Sequence, residues 1–224
     1  MRLIHDLSLR HHRSRLPWRE ARPYTRHWRA CQLESPRLVV DSRAASDFKE
    51  CGHLVIGAES DSDTWRVGGP LDQFLSSFYE CPHAIFYGKS YKSEHEPIRS
   101  GSQLWHADGG PGTCVIVMIY RSDVMPQDGP LQLVTWQRSL EIFRDEPQRA
   151  SRDQLCAYYE DRIGGDYQSI TGKRGTIIAF TNNTLHRGGF PAPGHSREVS
   201  IYHVYPSMVR SVAVPEKSES YPKL

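Results

Sequence analysis

His106 and Asp108 stand two residues apart in Gln103-Leu104-Trp105-His106-Ala107-Asp108-Gly109-Gly110. Side chains at i and i+2 share a face only on extended backbone, so this pair converges on one point only at a strand or strand end. The neighbours favour that. Leu104 and Trp105 suit a strand, Gly109-Gly110-Pro111-Gly112 is a strong turn signal, and Cys114-Val115-Ile116-Val117-Met118-Ile119-Tyr120 is a continuous apolar run typical of a fully buried strand. A further histidine, His186, follows far downstream in Thr184-Leu185-His186-Arg187-Gly188. Two imidazoles and a carboxylate form a facial triad, which covers one face of an octahedral ion and leaves its other positions open, as in non-haem Fe(II) oxygenases. A strand-end histidine followed by a turn-capping aspartate would show the same spacing, so the pair alone does not decide between ligand and turn.

The C-terminal half adds to the pattern. Lys173-Arg174-Gly175 reads as a tight turn into the strand Thr176-Ile177-Ile178-Ala179-Phe180, and Thr181-Asn182-Asn183-Thr184 leads on to His186. Eleven residues beyond His186, Arg197 opens the alternating run Arg197-Glu198-Val199-Ser200-Ile201-Tyr202-His203-Val204-Tyr205, which aims Arg197, Val199, Ile201 and His203 at one face. An arginine on the apolar face of a strand needs an anion. A small dicarboxylate beside the metal would satisfy it through the bidentate fork of the guanidinium, and so would a structural salt bridge.

In this order the features resemble the Fe(II)- and 2-oxoglutarate-dependent oxygenases of the phytanoyl-CoA dioxygenase type. The matching parts are Trp105-His106-Ala107-Asp108, Tyr120-Arg121-Ser122-Asp123, Asp128-Gly129-Pro130-Leu131-Gln132-Leu133-Val134, Gly175 to Phe180 before His186-Arg187-Gly188-Gly189, and Arg197; the resemblance as a whole covers roughly residues 83 to 206. The resemblance implies that His106, Asp108 and His186 bind Fe(II) and that Arg197 holds the distal carboxylate of the cosubstrate 2-oxoglutarate. It also implies a cosubstrate- or substrate-pocket place for Lys89, which joins Arg197 as a cofactor-binding candidate. The reaction implied consumes molecular oxygen, decarboxylates 2-oxoglutarate to succinate and hydroxylates a small-molecule substrate. Two departures stand out. Thr135-Trp136-Gln137-Arg138-Ser139 replaces the Pro-Gly-Ser-His turn common in the family, and Gly188 stands where a serine is frequent. Asp108 is retained where related halogenases carry a small residue, which favours hydroxylation over halogenation.

Length and composition permit this reading. A chain of 224 residues is expected to form one domain with a substantial core. A net charge of +2, with 24% charged and 38% hydrophobic residues, describes an ordinary globular protein. Five cysteines, odd in number and without CxxC spacing, read as reduced thiols of a cytoplasmic protein rather than a zinc site or disulfide framework. No apolar segment approaches the roughly 20 residues of a membrane span, and the N-terminus lacks the apolar core of a signal peptide.

Residues 1–50 read as a basic extension, partly packed, and 51–224 as the oxygenase domain. Arg2, Arg10, Arg13, Arg15, Arg19, Arg22, Arg26 and Arg29 face only Asp6 and Glu20 in the first thirty residues. Such an arm could meet an acidic carrier protein or another polyanion, but no nucleic-acid-binding motif accompanies it, and a solvated extension anchored by Leu3, Ile4, Leu7 and Leu9 is the simpler reading. A strand is expected at 37–40. Leu71, Phe74, Leu75 and Phe78 follow helical spacing after Gly69-Pro70, with Cys81-Pro82 as the stop, and further helices are expected over 138–144 and 152–161. The remaining short strands between Gly and Pro turns predict a mainly β fold with flanking helices: a double-stranded β-helix, the jelly roll of cupin-like proteins.

Residues 93–102 read as a polar loop on the rim of the site, with His95 set aside as a ligand because Glu94, Glu96 and Pro97 surround it. His203 is expected to line the pocket and tune the metal rather than bind it. Lys89, Lys92, Arg99 and Arg187 fit a small anionic or carrier-tethered substrate, and equally a solvated surface. Two other classes share some of these features. A cupin-type metal-dependent isomerase or hydrolase would use the triad without needing Arg197, and a non-catalytic protein binding through the basic arm would need no triad.

Overall fold

A computed structural model describes residues 22–35, 43–58, 63–108, 113–147 and 149–213. The expected strand at 37–40 and the anchors Leu3, Ile4, Leu7 and Leu9 lie outside the described residues.

The chain begins with two helices, α1 (Arg22–Glu34) and α2 (Arg43–Cys51), followed by β1 (His53–Ala58) and α3 (Pro70–Tyr79). Next come β2 (His83–Glu94), β3 (Val115–Tyr120), β4 (Leu131–Leu133), α4 (Trp136–Arg144) and α5 (Arg152–Ile163), and then β5 (Gln168–Ile170), β6 (Thr176–Thr181), β7 (His186–Gly188) and β8 (Ser196–Pro206). Five strands pair antiparallel in the order β1-β6-β3-β8-β2, and three in the order β5-β4-β7.

Period-two alternation decides what each face meets. On β3, Ile116, Met118 and Tyr120 join Ile178 and Phe180 of β6 and Val199 of β8 in packing against Leu131, Leu133 and Ile170 of the smaller sheet. The intervening Val115, Val117 and Ile119, with Ile177, Ala179 and Val204, turn to the other face and meet the helices. There α3 presents Leu71, Phe74, Leu75 and Phe78, all at most 1% exposed, beside Trp28 of α1 and Phe48 of α2. Full burial of such side chains contributes about 1.5–3 kcal/mol each. Trp28 donates its indole N–H to the Tyr79 carbonyl, so helices from the first fifty residues belong to the same core as the strands.

Helix boundaries follow local chemistry. Pro70 follows the Gly69 cap of α3, and Glu80 ends the helix in the left-handed region at φ 56°. Thr135 caps α4, which begins at Trp136, two residues earlier than the pattern suggested. Ser151 and Gln154 form a reciprocal capping box on α5, which runs to Ile163, two residues further than expected. Together, α4 and α5 shelter a third cluster containing Trp105, Val134, Trp136, Phe143, Tyr159 and Leu185.

Candidate metal centre

His186 lies on β7 and is joined to His106 by a reciprocal antiparallel bridge, His106 N–H to His186 O at 3.0 Å and His186 N–H to His106 O at 2.9 Å. Two residues on, the Asp108 N–H donates to the Asn182 carbonyl at 2.9 Å. These bonds hold the segment from His106 to Asp108 extended, as the i, i+2 spacing requires, so His106, Asp108 and His186 meet at one point. The Nε2 atoms of His106 and His186 lie 3.5 and 3.7 Å from the Asp108 carboxylate. Candidate ligand atoms of all three residues fall within 4.8 Å of one another.

Each imidazole is oriented from behind. Nδ1 of His106 bonds to the Leu104 carbonyl at 2.7 Å and Nδ1 of His186 to the Thr184 carbonyl at 2.8 Å. A carbonyl only accepts, so Nδ1 carries the proton and the Nε2 lone pair faces the cluster, as a metal ligand must. Burial pushes the His186 imidazole down to about 4, and the His106 ring adds to this, which leaves His186 neutral near pH 7. Burial works in the opposite direction on Asp108, but the two neighbouring imidazoles, His186 first, outweigh it and hold the carboxyl at about 2. His106 also feels burial, yet its pKa rises because the Asp108 carboxylate dominates. Two imidazole nitrogens and an ionised carboxylate fit a divalent ion that accepts nitrogen and oxygen ligands.

The triad opens into a cavity of about 290 Å³ between the two sheets. On its wall, β8 and β2 pair antiparallel, with Val199 opposite Tyr91, Ile201 opposite Lys89 and His203 opposite Tyr87. Arg197, Ile201, His203, Lys89, Tyr87 and Tyr91 all line the cavity. Val199 packs in the core between the sheets, so the expected common face of Arg197, Val199, Ile201 and His203 is found. Arg197 is 1% exposed, and neither Nε nor Nη1 has a hydrogen-bond partner. Burial lowers its pKa, while Tyr91 and Tyr120 are its electrostatic neighbours. Burial likewise lowers His203, which is electrostatically linked to Asp108 and Lys89. The inner wall is apolar, formed by Ile116, Met118, Leu131 and Phe180.

Two expectations change. Arg187 does not border the cavity as a free cation: it is 5% exposed and bonded to Glu160, because the residue after His186 points to the opposite face of the strand. The polar loop begins later than expected, since β2 continues through Glu94 in register with Ser196. His95 is tied down, with Nδ1 2.9 Å from the Pro191 carbonyl and its ring against Phe190, and it stands apart from the triad as expected. Tyr87 and Tyr91 were not singled out from sequence. Their alternation with Lys89 in Tyr87-Gly88-Lys89-Ser90-Tyr91 is the signal that places all three on one wall.

No family model matches the chain, and no curated protein matches it in sequence. Solved structures do resemble it. EctD from S. alaskensis with bound Fe superposes with a TM-score of 0.54 at 13% identity, over 81% of this chain and 85% of that one. EctD with 2-oxoglutarate and 5-hydroxyectoine gives 0.52 at 13%, over 74% and 76%. The fold is a double-stranded β-helix. HygX from Streptomyces hygroscopicus with nickel and 2-oxoglutarate gives 0.51 at 13%, over 77% and 89%. The chain spans 35% of the length of EvdMO1, at a TM-score of 0.45. At these identities the likeness concerns the jelly-roll fold; the site stands on its own geometry.

Proposed function

We propose that the chain is an Fe(II)- and 2-oxoglutarate-dependent dioxygenase that hydroxylates a small anionic metabolite. One observation carries the reading: a guanidinium buried to 1% exposure, with two donor nitrogens unpartnered, opens into the same cavity as a two-histidine, one-carboxylate cluster. A buried charge with no carboxylate beside it is strongly unfavourable, so Arg197 calls for an anion that the described residues do not provide. The carboxylate of 2-oxoglutarate suits the bidentate fork. The structures of EctD and HygX that contain iron, nickel or 2-oxoglutarate support the same assignment.

His106, Asp108 and His186 would hold the iron, and Arg197 the distal carboxylate of the cosubstrate. When bound, iron and 2-oxoglutarate with oxygen supply the oxidant, the cosubstrate leaving as succinate and carbon dioxide. The chain's own residues bind and orient. The carbonyls of Leu104 and Thr184 hold the two imidazoles in their ligating tautomer. Ile116, Met118, Leu131 and Phe180 exclude water from the inner end of the cavity. Asp108 fills the position a halide would need, which supports hydroxylation.

The charge of the lining supports an anionic substrate. Lys89 and Arg197 are its two permanent cations and Asp108 its one carboxylate. With a divalent ion and a dianionic cosubstrate in place, the cavity would keep one positive charge, and Lys89 is the cation left to face the substrate. The five cysteines are free, which supports a reducing, cytoplasmic setting. No helix among the described residues is long and apolar enough to cross a membrane.

Succinate release by iron-loaded protein across a panel of acids, amino acids and thioesters tests the reading. Release that requires iron and 2-oxoglutarate, and is stimulated by an anionic member of the panel, is expected. A protein that neither binds 2-oxoglutarate nor forms succinate is not this enzyme.

A further inference from the structure

Arg187 and Trp105 form a cross-strand pair directly behind the two histidines. The bridge between His106 and His186 is antiparallel, so the residues one step outward, Trp105 and Arg187, stand opposite each other and project to the other side of the strands. Their contact is close: the Arg187 guanidinium carbon lies 4.3 Å from the centre of the Trp105 ring. The same guanidinium donates from Nε to Gln132 Oε1 at 2.6 Å, on the β-strand neighbouring β7, and from Nη1 to Glu160 Oε2 at 2.6 Å on α5. Tyr167 lies 5.6 Å from it. One nearly buried side chain therefore binds the strand of His186, the residue adjoining His106, and a helix behind both.

We propose that Arg187 is a positioning residue for the metal centre, setting the separation of His106 and His186 by holding Trp105 against β7. The proposal rests on the reading of the triad as a metal site. The imidazoles are tethered at Nδ1 only to carbonyls two residues away in their own segments, Leu104 and Thr184. These bonds fix the rings within each segment, and the relative placement of the segments must come from cross-strand contacts. The reciprocal bridge is one such contact, and the Arg187–Trp105 stack is the side-chain contact adjoining it. Lysine cannot replace arginine here, since an ammonium has neither the planar face to stack on the indole nor the fork that reaches Gln132 and Glu160 together.

The test is Co(II) affinity, measured by titration calorimetry without cosubstrate, alongside thermal melting of the metal-free protein. Arg187→Lys and the milder Glu160→Gln should each weaken Co(II) binding by about 10- to 100-fold, the range for residues that orient ligands. Arg210→Gln serves as the comparison. It breaks another partly buried ion pair, Arg210 with Asp72 at 2.7 Å, on α3 and away from the cavity, and should lower the melting temperature while leaving Co(II) affinity at the wild-type value. Wild-type protein that fails to bind Co(II) overturns the metal site itself. Wild-type binding that is matched by folded Arg187→Lys and Glu160→Gln overturns the positioning role alone. So does a loss of affinity in Arg187→Lys that merely accompanies unfolding while Glu160→Gln binds normally.

Discussion

Gly188 leaves room for Arg197: a Cβ at position 188 would stand 2.3 Å from Nη2 of the guanidinium. The glycine at this position is therefore matched to the residue that gives the cavity its buried cation. Because the clash falls on the tip of a flexible side chain, Gly188→Ala should displace the guanidinium at little cost to the fold. Affinity for 2-oxoglutarate should fall by about 1–3 kcal/mol, the value of a charged hydrogen bond, while metal affinity holds. Calorimetric titration of both ligands into the variant checks this, and unchanged 2-oxoglutarate affinity would show that Arg197 tolerates the displacement.

Arg197 should also separate binding from stability. Arg197→Met removes a buried charge with two unsatisfied donor nitrogens and keeps most of the side chain's volume. The ligand-free variant should be more stable than wild type by about 1–3 kcal/mol, yet bind 2-oxoglutarate far more weakly. Urea denaturation with and without 2-oxoglutarate measures both effects. A variant that is less stable in the absence of ligand would mean that Arg197 has a structural role.

His83 predicts an acid-sensitive fold. It is fully buried, neither ring nitrogen has a hydrogen-bond partner, and Asp72 and Arg210 are its charged neighbours. Burial lowers it to about 4 against the effect of Asp72, with Arg210 assisting. Below the ordinary value of 6.5 the unfolded chain binds a proton that the folded protein refuses, so stability present above pH 6.5 is lost as pH falls toward 4. The loss is on the order of 3 kcal/mol, and His186 shifts in the same direction. His83→Leu should flatten part of that slope in denaturation series from pH 7 to pH 4; an identical slope would place the acid sensitivity elsewhere.

Much of the site could be read from the chain because its requirements are local. The spacing of His106 and Asp108 demands extended backbone, Gly175 turns the chain into β6 at φ 88°, and the alternation from Arg197 to His203 sets one face. The spacing of α3 was equally plain. Arg187 was misread because its partner Glu160 lies 27 residues away on another element, and nothing in the local pattern announces the pair. The end of β2 was misread for a related reason. Ser93 and Glu94 are polar and look like loop, but they complete a ladder with Arg197 and Ser196 that exists only once β8 is in place.

Asp108 predicts the outcome of the reaction. With the three proposed ligands intact, the product should gain one oxygen atom by mass spectrometry in the presence of chloride, with no halogenated product. Asp108→Gly should lose the metal, because one of the three proposed protein ligands is removed. A chlorinated product from the unaltered protein would contradict the assignment.

The most direct test of the central claim is anaerobic titration of 2-oxoglutarate into Fe(II)-loaded protein, repeated with His186→Ala and Arg197→Met. Saturable binding of one equivalent to the wild type is expected, with loss of iron in His186→Ala and retention of iron but much weaker 2-oxoglutarate binding in Arg197→Met. Failure of the iron-loaded wild type to bind 2-oxoglutarate, or equal binding by all three proteins, would contradict the account.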